Sequence, residues 1–151
     1  MKVKFEAHDQ PEIAVVVRAQ KQTPAVNTLM NYLNAYQDVP KLVVFDPRKE
    51  RERLITQYEM LLIQVQGDWL KIQLLNNQAV QYRERLYKFY AQLDQRFVQI
   101  NKSTVVNAYG IQQLTVKFGQ VTAELDSGTQ VAVSRRYVKK LKEALEVLTH
   151  G

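Results

Sequence analysis

Cysteine is missing from this chain, which excludes disulfides and thiolate metal sites and fits a cytoplasmic protein. Histidine occurs only as His8 and His150, neither with a neighbour at ligand spacing, so no metal centre is expected. No Gly-x-Ser-x-Gly elbow accompanies them, which removes the usual nucleophilic triad. Five glycines leave no phosphate-cradling loop and no dinucleotide fingerprint. No apolar run approaches the roughly 18 residues of a spanning helix. No apolar leader follows Met1, so neither membrane insertion nor a signal peptide is expected. The acidic pairs Glu50/Glu52 and Glu143/Glu146 lie in charged or helical surface contexts. The chain reads as a binder with no cofactor, not as an enzyme.

What is present is basic charge, unevenly placed. Residues 1–40 hold Lys2, Lys4, Arg18 and Lys21 against Glu6, Asp9, Glu12 and Asp38, so the net +6 belongs to residues 41–151. A cationic half of that kind favours phosphate. At 151 residues with 46% apolar content the chain can bury a core as one domain with a small appendage.

Hydrophobic periodicity supplies the elements. Lys2–His8 alternates strictly and reads as a half-buried strand, and the apolar run of Ile13–Arg18 as a second strand covered on both sides. Thr23-Pro24 opens a helix lined by Val26, Leu29, Met30, Leu33 and Tyr36. Residues 1–50 therefore form a small β-β-α unit, assigned a regulatory or dimerisation role. Leu42–Phe45 reads as a strand near its boundary, and Arg48–Arg53 as a solvated charge run. Residues 51–151 form the second domain. Strands there cover Leu61–Gln66, Leu70–Leu74 and Gln78–Tyr82, with turns at Gly67-Asp68 and Asn76-Asn77. Trp69, beside the first turn, either covers a sheet edge or stacks on a sugar or base. Glu84–Leu93 reads as a short helix. Leu114, Val116 and Phe118 form a strand, Gly119-Gln120 a turn, and Val121–Leu125 its partner. Val131 and Val133 lead into the last helix. The fold class is α+β, mostly β.

That last helix breaks a local rule. Ser134 stands at the N-cap, and Tyr137, Val138, Leu141, Ala144, Leu145 and Leu148 recur at helical spacing. Yet Arg135, Arg136, Lys139 and Lys140 crowd its first turns, where the helix dipole favours acids by roughly 0.3–1 kcal/mol each. Such a run is either a solvated face or a phosphate site, and an external polyanion would resolve the conflict.

Two stretches read together carry a resemblance. Phe97-Val98-Gln99-Ile100-Asn101-Lys102-Ser103-Thr104-Val105-Val106-Asn107, taken with Leu125-Asp126-Ser127-Gly128-Thr129-Gln130-Val131-Ala132-Val133-Ser134-Arg135-Arg136-Tyr137-Val138-Lys139-Lys140-Leu141, resembles the LytTR-type DNA-binding domains of bacterial transcription regulators. The likeness covers about residues 55–148. It implies an elongated arrangement of small antiparallel sheets with short helices, reading DNA through loops in successive major grooves. By this resemblance Asn101 and Lys102 would meet base edges and Ser103 a phosphate. Arg136 and Arg135 would meet bases, and Lys139 and Lys140 backbone phosphates. The turn at Asp68-Trp69, with Lys71, would add a third contact. Many relatives have His or Arg where this chain has Asn101-Lys102, which alters the expected target. The first 50 residues are too short for a phosphorylatable receiver, so the resemblance is to stand-alone members. It implies double-stranded DNA with paired sites, a homodimer, and restraint by a regulatory membrane protein. Two other readings compete with it: an RNA- or ribosome-associated basic β protein, and an adaptor whose basic helix docks an acidic protein.

Overall fold

From Leu42 onward every paired strand runs antiparallel to its neighbour. The computed structural model describes residues 1–9, 14–36 and 40–150. They fall into two compact units, Met1–Val39 and Pro40–Gly151.

In the first unit the one regular element among the described residues is α1 (Pro24–Tyr36). Its start is as expected, since Thr23 Oγ1 accepts the Val26 N–H at 3.3 Å and Pro24 takes the first helical position, where no N–H is needed. The expected strand at Lys2–His8 does not form, and Val3 and Phe5 are 86% and 91% exposed. Residues 14–18 of the other expected strand are likewise not in a sheet, while Ile13 lies outside the described residues. Alternation stabilises a strand only where a neighbour completes the ladder and a second surface covers the apolar face. Neither occurs among the described residues. Among the described residues the β-β-α pattern is thus reduced to its helix, and Leu42–Asp46 (β1), expected with it, lies in the sheet of the second unit.

That sheet has seven strands, in the order β2-β1-β5-β4-β3-β7-β6. They are β1, β2 (Arg51–Ile55), β3 (Met60–Gln66), β4 (Trp69–Leu74), β5 (Ala79–Tyr82), β6 (Phe97–Asn101) and β7 (Thr104–Asn107). The helix α2 (Leu86–Ala91) follows β5. A second sheet, in the order β10-β9-β8, comprises β8 (Ile111–Lys117), β9 (Gln120–Leu125) and β10 (Gln130–Val133). The helix α3 (Arg135–His150) closes the chain.

Two readings of the sequence change. Half of the charge run is the edge strand β2, paired with β1 from Leu42↔Ile55 to Asp46↔Arg51. Charged side chains on an edge strand hinder pairing with another chain, and they also hide its alternation. Phe118, expected inside a strand, sits instead in the β8–β9 turn, with Lys117 pairing Gln120 across it.

The larger sheet has a core on each side. Ile63, Ile72, Val80 and Val105 pack with Leu86 and Phe89 of α2. Leu62, Val98, Ile100 and Val106 pack with Ala123, Leu125, Val131, Val133 and Leu141 from the smaller sheet and α3. A bulge between Met60 and Leu62 lets Leu61 join the second core beside Leu62. Gly110 makes this possible: a Cβ there would collide with Leu61 Cδ1. Asp46 is buried, and its carboxylate accepts the N–H groups of Arg48 at 3.0 Å and Lys49 at 3.4 Å, closing the β1–β2 turn. Burial pulls its pKa upward, but those backbone bonds and the two side-chain charges outweigh it and hold the carboxyl below its ordinary value.

Two outcomes follow. Gly110→Ala should destabilise by about 1–3 kcal/mol in urea unfolding, as overpacking does. A carboxyl held low stabilises the fold above the ordinary carboxylate range, and that contribution is lost as pH falls through the depressed value. Asp46→Asn should therefore show a flatter loss of stability than the wild type below about pH 4. Parallel acid-unfolding slopes would contradict this.

Candidate nucleic-acid interface

Strand register decides which turns share a rim of the second unit. Gln66 pairs with Trp69 and Gln64 with Thr104, so the β3–β4 turn (Gly67-Asp68) and the β6–β7 turn (Lys102-Ser103) lie at the same end. A backbone bond from Val65 N–H to Ser103 O, 2.9 Å, joins them. On the other flank Ser134 N–H donates to Ile100 O at 2.9 Å, and Asn101 Nδ2 donates to Ala132 O at 2.9 Å. The start of α3 is thereby fixed beside the β6–β7 turn. All three segments expected to meet the partner are brought together in one row, and none is sealed under other parts of this unit.

Their side chains are not equivalent. Lys102 and Ser103 are exposed at the turn. Asn101 is half-buried, and besides its bond to Ala132 its Oδ1 accepts both the backbone N–H and the Oγ–H of Ser103, at 2.9 and 3.1 Å. Reading adenine bidentately requires both ends of the amide, and here the oxygen already holds two hydrogens. Asn101 is thus a brace that shapes the turn. The Ser103 hydroxyl proton is spent in the same place. Asn107, at the end of the same segment, is buried: its Nδ2 donates to Met60 O and its Oδ1 accepts the Tyr109 N–H, both at 3.1 Å.

The helix begins at Arg135, leaving Ser134 just before it, with Ser134 O accepting the Tyr137 N–H at 2.9 Å. No acid lies in its first turn. Arg135, Arg136 and Lys139 are exposed. Lys140 is exposed too, but its Nζ stands 6.0 Å from the Tyr90 ring centroid, on the α2 side. At the β3–β4 turn Asp68 is exposed, and an acid there can only accept from a base such as cytosine, not meet phosphate. Lys71 is exposed inside β4, paired with Gln64 and Gln81, and so set back from the turn. The Arg83 guanidinium lies 5.8 Å from the Trp69 ring centroid. Arg83 escaped the reading of the sequence. Counting the β4–β5 register outward from Asn76-Asn77 would have found it, because Leu70 pairs with Tyr82 and so puts the residue just after β5 level with Trp69.

Not every cation is at the rim. Arg96, just before β6 and so at the other end of that strand from Asn101, has its guanidinium 4.2 Å from the Tyr58 ring centroid, and its Nε donates to Asp94 Oδ1 at 3.1 Å. Desolvation lowers the Arg96 pKa and raises that of Asp94. Among the described residues no group of His, Cys, Asp or Glu could hold a metal ion.

The model of the LytTr DNA-binding domain matches residues 50–146. The chain belongs to the LytTR family. Among the relatives of this LytTR chain is a protein of Staphylococcus aureus strain NCTC 8325 named as an uncharacterized HTH-type transcriptional regulator. It is 27% identical over 140 residues, covering 92% of this chain and 93% of its own. A protein of the same name from strain MRSA252 is 26% identical over 140 residues with the same coverage. The LytTr DNA-binding domain of a methyl-accepting/DNA response regulator from Bacillus cereus matches in structure with a TM-score of 0.61. It covers 70% of this chain and 95% of that one at 14% identity, which carries the fold. Among the described residues of the LytTR chain no two helices follow each other without an intervening strand.

Asn101→Ala removes three hydrogen bonds from the turn and should lower stability by about 1–2 kcal/mol. Lys102→Ala should stay within about 0.5 kcal/mol. Urea unfolding of the two variants side by side checks the contrast between brace and free side chain.

Proposed function

We propose that this protein is a transcription regulator that reads specific duplex DNA with the rim formed by the β6–β7 turn, the start of α3 and the β3–β4 turn. The observation that carries the reading is the pair of bonds from Asn101 to Ala132 and from Ser134 to Ile100, which fix two cationic segments side by side. Family membership supports the DNA partner, and the regulatory names of the Staphylococcus aureus relatives support the cellular role.

Arg136 and Arg135 are the base readers at the start of α3, since a guanidinium pairs bidentately with guanine O6 and N7. Lys102 takes the base-reading part at the β6–β7 turn, with Asn101 holding it in place. Lys139 and Lys140 neutralise phosphates and supply affinity without sequence preference. The Trp69–Arg83 pair and Lys71 extend the contact along the β3–β4 side. The protein acts as a homodimer on paired sites, with residues 1–50 contributing to dimerisation or to restraint by a membrane protein. Among the described residues no helix is long and apolar enough to cross a membrane.

Binding sites selected from random duplexes provide the substrate for the test. On the selected site Arg136→Ala should cost about 1–3 kcal/mol and relax the preference at one position. Lys139→Ala should weaken selected and random duplexes alike and reduce the salt slope by about one. Equal losses on both duplexes for both variants would contradict base reading.

A further inference from the structure

The β8–β9 turn has no part in the reading above, yet register carries it to the same rim. Val133 pairs with Val121, and Lys117 with Gln120, so Phe118-Gly119 projects past the start of α3. Phe118 is fully exposed, at 108%. Both turn residues have positive φ, +52° at Phe118 and +77° at Gly119. A two-residue hairpin turn with both φ angles positive is normally built from Asn-Gly or Asp-Gly. A bulky aromatic in that place strains the backbone and presents its ring to water, and no packing in the fold compensates for either. Residues held against local preference cluster at sites of function.

The surroundings point to the partner. An open cleft of about 550 Å³ lies between the turn and α3, lined by Phe118, Val121, Ala132, Val133, Arg135 and Val138 among others. No acid lines it, and Lys117 flanks the turn. An apolar floor with a cationic lip suits deoxyribose and base faces beneath phosphates. A second copy of this basic chain would set like charges lip to lip.

We propose that the β8–β9 turn is a further DNA contact, with Lys117 on a phosphate and Phe118 as an apolar wedge against the sugars or a base step of the duplex held by the neighbouring turns. Apolar side chains used in this way bend or unstack DNA and widen the contact. The inference rests on the DNA-reading function proposed above and extends it to a site that makes no hydrogen bond to a base.

Phe118→Asn supplies the residue this turn geometry favours, so fold and contact separate. The variant should melt a few degrees higher and bind the selected duplex about tenfold more weakly. Phe118→Trp, which keeps a stacking ring, should hold affinity within about threefold, and Lys117→Ala should reduce the salt slope by about one. If wild type binds the duplex and Phe118→Asn binds it equally well, the wedge is overturned while the regulator reading stands. Loss of self-association in Phe118→Asn with duplex affinity unchanged overturns it in favour of a second copy. A wild-type protein that binds no duplex removes both.

Discussion

Two hydrogen bonds at the outer edge of the seven-stranded sheet govern the rest of the second unit. β6 is the last strand of that sheet, and its end is capped by Ser134 N–H on Ile100 O and Asn101 Nδ2 on Ala132 O, each 2.9 Å. The core between the two sheets supplies cohesion, but burial of apolar surface is non-directional. It would tolerate a small slide of β10 and α3 along β6. The two bonds are directional and belong to half-buried or backbone groups, so they set where α3 starts relative to the β6–β7 turn. Cohesion comes from Leu125, Val133 and Leu141, while aim comes from Asn101 and Ser134.

The same division separates the cations. The net +6 is a property of the sequence, but the fold assigns its members to different work. Arg96 is stacked on Tyr58 and bonded to Asp94, bracing the segment between α2 and β6. Arg53 donates to Gln78 Oε1 at 2.9 Å and lies 4.0 Å from Glu59. Arg135, Arg136, Lys139 and Lys102 stay exposed at one rim. Counting charge alone would credit all of them equally to a polyanion.

Much of this was legible in the residues. The hairpins around Gly67-Asp68 and Asn76-Asn77, the strand pair before α3 and the helix itself follow from period and turn chemistry, and the family from two motifs read together. What escaped did so for physical reasons. β2 carries Arg51-Glu52-Arg53, and an edge strand that guards itself with charge shows no apolar alternation. Lys2–His8 has perfect alternation but no ladder partner among the described residues, and pattern alone cannot supply one. Phe118 completes an apolar series with Leu114 and Val116, and the reversal one residue early depends on a left-handed backbone that phenylalanine does not advertise. Asn101 reads as a base contact and Asn107 carries no assigned role, although each spends its amide on bonds within the protein. Whether an amide faces in or out is settled by tertiary contacts that the local sequence does not encode.

The first turns of α3 combine four cations with the positive end of the helix dipole, and the first turn holds no acid. The free protein therefore carries electrostatic stress in its most basic element, largest at low ionic strength and relieved by counterions. A ligand that neutralises those groups adds its binding energy and releases that stress together. By linkage the liganded chain gains more thermal resistance than one with a neutral helix start would, for the same contacts. The helix start that costs the isolated molecule some stability then recovers that cost once a polyanion is in place.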